Sequence, residues 1–229
     1  MSEAQARRLW DAAARVPAGG LLVEIGSFRG RSAIVMASVL ADDAHFVAID
    51  PHAGGDRGPQ EIAVEAERGE ADHEAFWANL RAAGVDGRVE HVRLMSSDAH
   101  PAVDGAIDVL YIDGAHRFGP ARADIVDWGA RVRDGGTMLV HDSFSSVGVT
   151  LATIGSVTFG SHWRYVGRTS SLAEYRREPL GLGARASNAA RQLAQLPWFA
   201  RNVVVKVALL TRAYPLARLM GHRGRDWPY

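Results

Sequence analysis

Short apolar segments recur along the chain, several of them ending at a glycine or an aspartate, and they constrain the fold more than any other feature. Runs of this length between turn residues are typical of buried strands. They lie at 21–25, 45–50, 88–94, 107–112 and 137–140, with two further candidates at 163–166 and 172–175. Segments with helical periodicity separate them. The sequence therefore predicts an α/β, Rossmann-like fold, a mostly parallel sheet with helices on both faces.

Helical segments lie between the strands, and a change in composition after residue 180 divides the chain into two parts. Helices are predicted over 4–16, 32–40, 72–83 and 118–132. The segment 51–69 is rich in glycine and charge, which predicts a loop or an insertion. After residue 180 the chain becomes basic and amphipathic, with a helix break at Pro197. We predict one sheet domain over 1–180 and a helical tail over 181–229.

Composition excludes some classes of site and partner. The chain has no cysteine, which excludes disulfides, thiolate metal sites and a cysteine nucleophile and is typical of a cytoplasmic protein. Lys+Arg and Asp+Glu number 26 each, so the chain has no net positive charge that would favour nucleic acid as a partner. No stretch of about 18 uncharged apolar residues exists, so no spanning helix is expected.

The first strand is followed by a turn that can approach a ligand closely. Gly26 allows a sharp turn, and Gly30 opens the next helix, whose N-terminus favours an anionic group such as a carboxylate. Ser27 and Phe28 break the dinucleotide pattern G-x-G-x-x-G. Glu24 would repel a phosphate but suits an ammonium group, so the turn favours a zwitterionic cofactor.

Acidic residues after the second and third strands continue this pattern. Asp50 follows Gly26 at about the interval at which a carboxylate meets ribose hydroxyls in such folds. His52 lies just beyond Asp50, where it could line the entrance of the cofactor-binding site. Asp98 follows the third strand, and its residue type fits a helix cap and an adenine contact equally well.

Two carboxylates and two histidines follow the fourth and fifth strands. Asp113 and His116 follow one strand, and His141 and Asp142 follow the next. Because ligands bind beyond the carboxyl ends of parallel strands, these four side chains are expected at one site. Carboxylates suit Mg²⁺ or Mn²⁺, while imidazole admits softer metals.

These motifs resemble a known family. Residues 23–32 look like the first motif of class I methyltransferases, and Asp113-Gly114-Ala115-His116 with His141-Asp142 is similar to metal-dependent sugar O-methyltransferases. That group includes macrocin and mycinamicin O-methyltransferases and cephalosporin hydroxylase-like proteins. The resemblance, which covers roughly residues 21–175, implies S-adenosylmethionine-dependent methylation of a sugar hydroxyl.

The resemblance also implies a role for each matching residue. The cofactor's methionine part would lie at the first turn, its ribose at Asp50 and its adenine near Asp98. Asp113 and Asp142 would bind Mg²⁺, and His116 would be the general base. The residues expected at the cofactor are Glu24, Gly26, Ser27, Gly30, Ser32, Asp50, His52 and Asp98.

One position departs from the family pattern. Relatives carry an acidic residue just before the last aspartate, whereas this chain has His141 there. We expect His141 to ligate the metal, hold a water or act as a second base. In all cases the metal would orient two adjacent acceptor oxygens and lower a hydroxyl pKa.

The acceptor and partners follow from the resemblance and from the tail. The short, Ala/Arg/Gly-rich chain favours a mannoside of methylmannose polysaccharide biosynthesis among the acceptors, with Phe144, Trp163 and Tyr165 as faces for a sugar ring. For the tail we favour packing or homodimerisation over peripheral membrane attachment.

Other functions remain open at this point. A two-histidine, one-carboxylate Fe(II) oxygenase would use His116 and His141, but it leaves Gly26 and Asp50 unexplained. Methylation of a catechol would use the same kind of metal site. A non-catalytic methyltransferase-like binding module would tolerate loss of Asp113, His116 and Asp142, all of which are present.

Overall fold

A computed structural model of the protein describes residues 1–55 and 63–224. Seven strands form one sheet in the order β3-β2-β1-β4-β5-β7-β6. They are β1 (Leu21–Ile25), β2 (His45–Ile49), β3 (Glu90–Val92), β4 (Ile107–Ile112), β5 (Val132–Val140), β6 (Trp163–Thr169) and β7 (Leu172–Arg177). Strands β1 to β5 pair in parallel, and β7 runs antiparallel to both β5 and β6. The predicted mostly parallel, Rossmann-like sheet is confirmed.

Helices cover both faces of this sheet, as the alternation predicted. They are α1 (Glu3–Ala13), α2 (Arg31–Ala37), α3 (Ala66–Ala82), α4 (Phe118–Ala123), α5 (Val147–Thr153), α6 (Leu182–Leu193), α7 (Leu196–Leu210) and α8 (Tyr214–Leu219). Apolar residues of α1, α2 and α3 form one core with one face of the sheet. Those of α4 and α5 form a second core on the other face, against which Trp198 and Phe199 of α7 pack.

The structure differs from the predicted helix over 118–132. Helix α4 stops at Ala123, a π-helical turn follows over Asp124–Trp128, and β5 already begins at Val132. Ile125 and Trp128 are buried in the core, so packing rather than helical propensity sets the backbone here. π-turns of this kind are frequent at functional sites.

Two other boundaries also moved. Helix α3 begins at Ala66, inside the segment 51–69 that was predicted as a loop, and residues 56–62 of that segment lie outside the described part of the chain. The helix break predicted at Pro197 is found just before it, between the end of α6 at Leu193 and the start of α7 at Leu196. Pro197 itself lies in the first turn of α7, where its missing N–H costs nothing. Residues 225–229 of the predicted tail also lie outside the described ranges.

Candidate active site

The strand register brings the predicted site residues to one edge of the sheet. Ile25 pairs with Ile49 of β2 and with Ile112 of β4, and Ile112 pairs with Val140 of β5. The residues that follow these four are therefore neighbours at the carboxyl edge: Gly26, Asp50, Asp113 and His141. Strand order reverses between β1 and β4, which is where open α/β sheets bind ligands.

Gly26 is required by the close approach of two loops at this edge. Its φ is 88°, and a Cβ at this position would lie 2.3 Å from the carbonyl oxygen of Asp113. Any side chain would therefore push the loops after β1 and β4 apart. Gly30, at φ 81°, caps α2, and a Cβ there would meet the Leu80 side chain at 2.5 Å.

Asp50 is held in place by backbone donors. Its Oδ2 accepts the Phe28 N–H at 2.8 Å and its Oδ1 accepts the His52 N–H at 2.8 Å. The buried His52 ring bonds in turn to the Phe28 carbonyl, with Nε2 at 2.7 Å. Each Asp50 oxygen keeps a second lone pair for a ligand hydroxyl. We call Gly26, Phe28, Asp50 and His52 the β1–β2 wall.

Phe28 and His52 both adopt the left-handed backbone region, at φ 45° and 46°. Non-glycine residues rarely do so, and the cost is sustained only when surrounding contacts fix the conformation. The mutual Phe28–His52–Asp50 contacts supply that support. The β1–β2 wall is therefore a preformed structure.

Glu24 lies beneath this wall and is fully buried, with 0% of its surface exposed. Its Oε1 accepts a hydrogen bond from Ser32 Oγ on α2. Burial raises the pKa of Glu24 to about 8, against the opposing effect of the Ser32 hydrogen bond and with smaller contributions from Asp113 and Asp50. The side chain is thus mostly protonated at neutral pH.

A cavity of about 630 Å³ opens between the β1–β2 wall and the loops after β3 and β4. Among the predicted site residues, those that line it are Gly26, Asp50, His52, Asp113 and His116. Glu24, Ser27 and Ser32 are buried, and Gly30 packs on α3, so in the part of the chain described here these four support the wall rather than line it.

Part of the cavity lining comes from residues that the sequence pattern did not predict. These residues are Met95, Ser96 and Asp124. Asp124 is buried, its Oδ1 accepts the Ser96 hydroxyl at 2.6 Å, and burial raises its pKa to about 6. Asp98, the residue predicted near the adenine, is exposed and does not line the cavity within the described ranges.

A sequence signal for Asp124 did exist. Ala121, Ile125 and Trp128 share one buried helical stripe, and Asp124 falls on the same face. A carboxylate on an apolar stripe is costly to bury unless it is bonded or functional. The position of Asp124 on this stripe therefore indicates a functional carboxylate, which the strand ends alone do not.

The loops after β4 and β5 bring four ionisable side chains into contact. His141 Nδ1 lies 3.0 Å from Asp113 Oδ1 and 3.6 Å from Asp142 Oδ1. His116 Nε2 lies 2.5 Å from Asp142 Oδ2. Asp113 also accepts the hydroxyl of buried Tyr111 at 2.8 Å. We call Asp113, His116, His141 and Asp142 the Asp–His cluster.

The charges of this cluster depend on one another. Burial alone would favour a neutral His141 ring, but Asp113 and Asp142 outweigh it and raise the pKa of His141 to about 10. Burial likewise opposes ionisation of Asp142, yet the hydrogen bond from His116 and the nearby His141 ring hold its pKa well below the usual range. Without another cation, an imidazolium therefore balances the carboxylates.

Gln5 of α1 reaches the same cluster. Its Nε2 lies 3.3 Å from His141 Nε2 and donates to Ser171 Oγ at 3.2 Å, while its Oε1 accepts the Ser2 N–H at 2.8 Å. An amide N–H facing Nε2 favours a neutral ring, against the two carboxylates. The carboxylates are charged and Asp113 is closer, so the ring is cationic until another cation replaces its proton.

The cluster fits a divalent metal ion. Ligand atoms of Asp113, His141 and Asp142 lie within 4.8 Å of one another, and buried Asp142 Oδ1 has no hydrogen-bond partner. An orphaned buried carboxylate oxygen beside a second carboxylate is the donor set that Mg²⁺ or Mn²⁺ prefers. His116 does not belong to this set, although its Nε2 lies beside Asp142 Oδ2.

The predicted sugar-stacking role of three aromatic residues is wrong. Phe144, Trp163 and Tyr165 are all buried and belong to the core on the α4–α5 side of the sheet. Phe144 and Tyr165 pack edge to face at 6.4 Å between ring centroids. Their apolar area is mostly used for packing, and none of these three described residues lines the cavity of about 630 Å³; Tyr165 instead borders a separate pocket with Arg168 and Arg191.

The loop that carries Asp142 is anchored by the tail. Fully buried Asn202 of α7 donates to the Phe144 carbonyl at 3.4 Å, and Lys206 Nζ donates to the Ser145 carbonyl at 2.9 Å. Asp142 and Phe144 both have positive φ, at 56° and 57°, so this loop is strained and needs such support. Helix α7 therefore fixes one side of the Asp–His cluster.

Comparison with known proteins identifies one matching family model. A model described as a methyltransferase domain matches residues 23–143, from the middle of β1 to the loop after β5. That range contains the β1–β2 wall, Asp124 and the whole Asp–His cluster. No curated protein matches the chain.

Several solved structures share the fold. The O-methyltransferase TomG from Streptomyces achromogenes, solved with S-adenosylmethionine (SAM), is 20% identical over 79% of this chain and 82% of its own, with a TM-score of 0.56. A Podospora anserina methyltransferase bound to S-adenosylhomocysteine (SAH) is 16% identical over 78% of this chain and 80% of its own, with a TM-score of 0.58. An O-methyltransferase from Bacillus cereus in complex with SAH is 15% identical over 77% and 82%, with a TM-score of 0.57.

Proposed function

The chain belongs to the methyltransferase domain family, whose model matches more than half of it, and from that premise we propose that it transfers the methyl group of SAM to a hydroxyl oxygen. The observation that carries the proposal is that the β1–β2 wall and two members of the Asp–His cluster, Asp113 and His116, line one cavity. The β1–β2 wall offers a carboxylate to a ribose. The Asp–His cluster offers a metal site and a base to an acceptor.

The β1–β2 wall and Asp124 suit the two ends of the cofactor. Asp50 keeps a lone pair on each oxygen and so can accept both ribose hydroxyls. Asp124 and Ser96 line the same cavity, and the Asp124 carboxylate can accept an adenine amine. We therefore assign the adenine contact to Asp124 rather than to Asp98.

The Asp–His cluster orients and deprotonates the acceptor. A divalent metal held by Asp113, Asp142 and His141 would chelate two adjacent acceptor oxygens and lower the pKa of the reacting hydroxyl. Asp142 Oδ2 accepts the Nε2–H of His116 and orients the ring, and we assign proton removal from the acceptor to this imidazole. Because the methyl group of SAM is already activated, orientation and proton removal suffice.

We propose a sugar as the acceptor class, with a mannoside as the leading candidate. The support is the likeness of the Asp113–His116 and His141–Asp142 motifs to sugar O-methyltransferases. A vicinal diol satisfies the chelating geometry of such a metal site, and a catechol would satisfy it equally. The acceptor panel must therefore contain both.

An Fe(II) oxygenase is not favoured. Its ligand set needs two histidines and one carboxylate, whereas the group that converges here has two carboxylates and one histidine. His116 bonds to Asp142 instead. The family match covers Gly26 and Asp50, which an oxygenase would leave without a role.

The test combines calorimetry with a methyl-transfer assay. The protein is titrated with SAM with and without Mg²⁺, and methyl transfer is then measured to mannosides, rhamnosides and catechols. Micromolar SAM binding and Mg²⁺-dependent transfer to a diol are the expected results. Absence of SAM binding under either condition would refute the proposed function, and transfer unaffected by EDTA would refute the metal.

A further inference from the structure

Helices α7 and α8 leave a row of apolar side chains uncovered. On α7, Val204, Val207 and Leu210 are 38%, 52% and 60% exposed, and on α8 Leu216 and Leu219 are 43% and 82% exposed. We call these five residues the α7–α8 apolar face. Their spacing along α7 is that of one helical stripe, opposite buried Asn202, Val205 and Ala208.

The charged residues of the tail that carries this face have one sign. Between Glu178 and Asp226 the sequence contains no acidic residue. The same stretch contains eight basic residues: Arg185, Arg191, Arg201, Lys206, Arg212, Arg218, Arg223 and Arg225. Arg212 lies in the connection between α7 and α8, and Arg212, Arg218 and Arg223 are all exposed.

We propose that the α7–α8 apolar face binds the surface of a bilayer containing anionic phospholipid. An exposed apolar stripe beside arginines, without acidic side chains, is the composition of helices that lie in the membrane interface. Apolar side chains enter the acyl boundary while the arginines meet phosphate headgroups. Charge complementarity therefore identifies the occupant as an anionic lipid surface.

The helices lie on the membrane and do not cross it. By length and composition alone, Leu182–Leu210 could span a bilayer, with only 17% of its most apolar window buried in the fold. However, buried polar contacts tie α6 and α7, the two helices of this segment, to the domain. Asn188 Oδ1 accepts the Tyr165 N–H at 2.7 Å, and Asn202 donates to the Phe144 carbonyl at 3.4 Å. A spanning arrangement would break these bonds.

Charge argues against a second copy of the chain as the occupant. A twofold interface places the same patch against itself, which would bring arginines against arginines. With no acidic residue between 178 and 226, the tail has no partner for them on the opposing copy. The predicted homodimer through this surface is therefore less favourable than an anionic lipid surface.

The location of the face links it to the active site. Helix α7 holds the loop that carries Asp142 through Asn202 and Lys206. Membrane attachment would thus place the Asp–His cluster close to the bilayer. The lipid proposal itself is independent of the proposed methyl transfer, since it concerns binding alone.

Vesicle sedimentation of the full chain tests the proposal. The protein is mixed with vesicles of phosphatidylcholine alone and with vesicles of phosphatidylcholine and phosphatidylglycerol. We expect binding to the anionic vesicles, little binding to the neutral ones, and weakening as salt screens the arginines. Equal binding to both vesicle types, or to neither, would overturn it.

Two sets of variants separate the apolar and the basic contributions. Val207→Asp with Leu210→Asp should abolish vesicle binding, whereas Val166→Asp, at a similarly exposed position on β6, should not. Arg212→Ala and Arg218→Ala should each weaken binding roughly fivefold. Unchanged thermal unfolding shows that the variants fold.

Sedimentation velocity decides between lipid and a second copy. If the protein alone is a dimer that Val207→Asp converts to a monomer, and it ignores anionic vesicles, the apolar face is a dimer interface and the proposal is wrong. A protein that stays monomeric at the same concentrations and binds the vesicles through these residues supports it.

Discussion

The two sides of the cavity are held by different forces. In the β1–β2 wall, backbone N–H groups fix Asp50, a close backbone approach requires Gly26, and Glu24 below is mostly neutral. In the Asp–His cluster, four ionisable side chains hold one another through charge. One side is built from backbone geometry, and the other from electrostatics.

This difference matches the two tasks of the proposed reaction. A cofactor must bind in one pose at any pH, which suits a wall fixed by backbone hydrogen bonds. An acceptor must lose a proton, which suits groups whose charges can change. Substitutions on the two sides should therefore separate binding from turnover.

The largest expected effect comes from the Asp–His cluster. His116→Ala should lower methyl transfer to a competent acceptor by about 10²–10⁴-fold, because it removes the proposed general base. SAM affinity, measured by calorimetry, should stay unchanged, because the β1–β2 wall is intact. His162→Ala, at an exposed histidine far along the chain, is the matched control. Retained turnover in His116→Ala would remove His116 as the base.

The buried carboxyl beneath the wall should affect stability rather than turnover. Glu24 has a pKa raised from 4.5 to about 8 in the folded state, so the folded protein binds the proton more tightly than the unfolded chain does. Its contribution to stability is full below about pH 4.5 and is lost as pH rises through 8. Glu24→Gln stays neutral and should remove this loss, which amounts to a few kcal/mol at alkaline pH.

Urea unfolding without cofactor at a series of pH values measures this effect. The difference in unfolding free energy between Glu24→Gln and the parent protein should grow in favour of the variant above neutral pH. All other titrating groups are common to both proteins and cancel in the difference. A difference that does not vary with pH would show that Glu24 ionises normally.

The same contrast explains how much the sequence could predict. Strands β1 and β4 were predicted to the residue because each is a short apolar run with turn residues beyond it. Parallel register then fixed Gly26, Asp50, Asp113 and His141 at one edge. Local pattern and topology were sufficient for these.

What depends on tertiary packing was missed or wrong. The π-turn at Asp124 exists because Ile125 and Trp128 must reach the core, which no local pattern shows. Phe144 follows the site-bearing strand β5 and Tyr165 lies within β6, and both are buried in the core. The contact of Gln5 with His141 joins residues 136 positions apart, beyond any sequence motif.

Substitution of Asp50 sharpens the comparison on the cofactor side. Asp50→Ala should weaken SAM binding by about tenfold to a hundredfold, the loss expected for hydrogen bonds to a charged acceptor. Asp50→Asn keeps one acceptor oxygen and should give a smaller loss. Asp98→Ala, at an exposed position outside the cavity lining within the described ranges, should leave the affinity unchanged. The opposite ranking in calorimetry would restore Asp98 as the cofactor residue.

The smallest expected effect tests Asp124, a buried carboxyl of the cavity lining. Burial raises its pKa to about 6, so it is partly protonated at mildly acidic pH. An adenine amine donates to the ionised carboxylate more strongly, so SAM affinity should increase as pH rises through 6, by roughly fivefold. In Asp124→Asn this increase should disappear while the Asp50 contact persists. If the parent and Asp124→Asn show the same pH dependence, the adenine lies elsewhere, and the cofactor side binds through backbone-fixed groups alone.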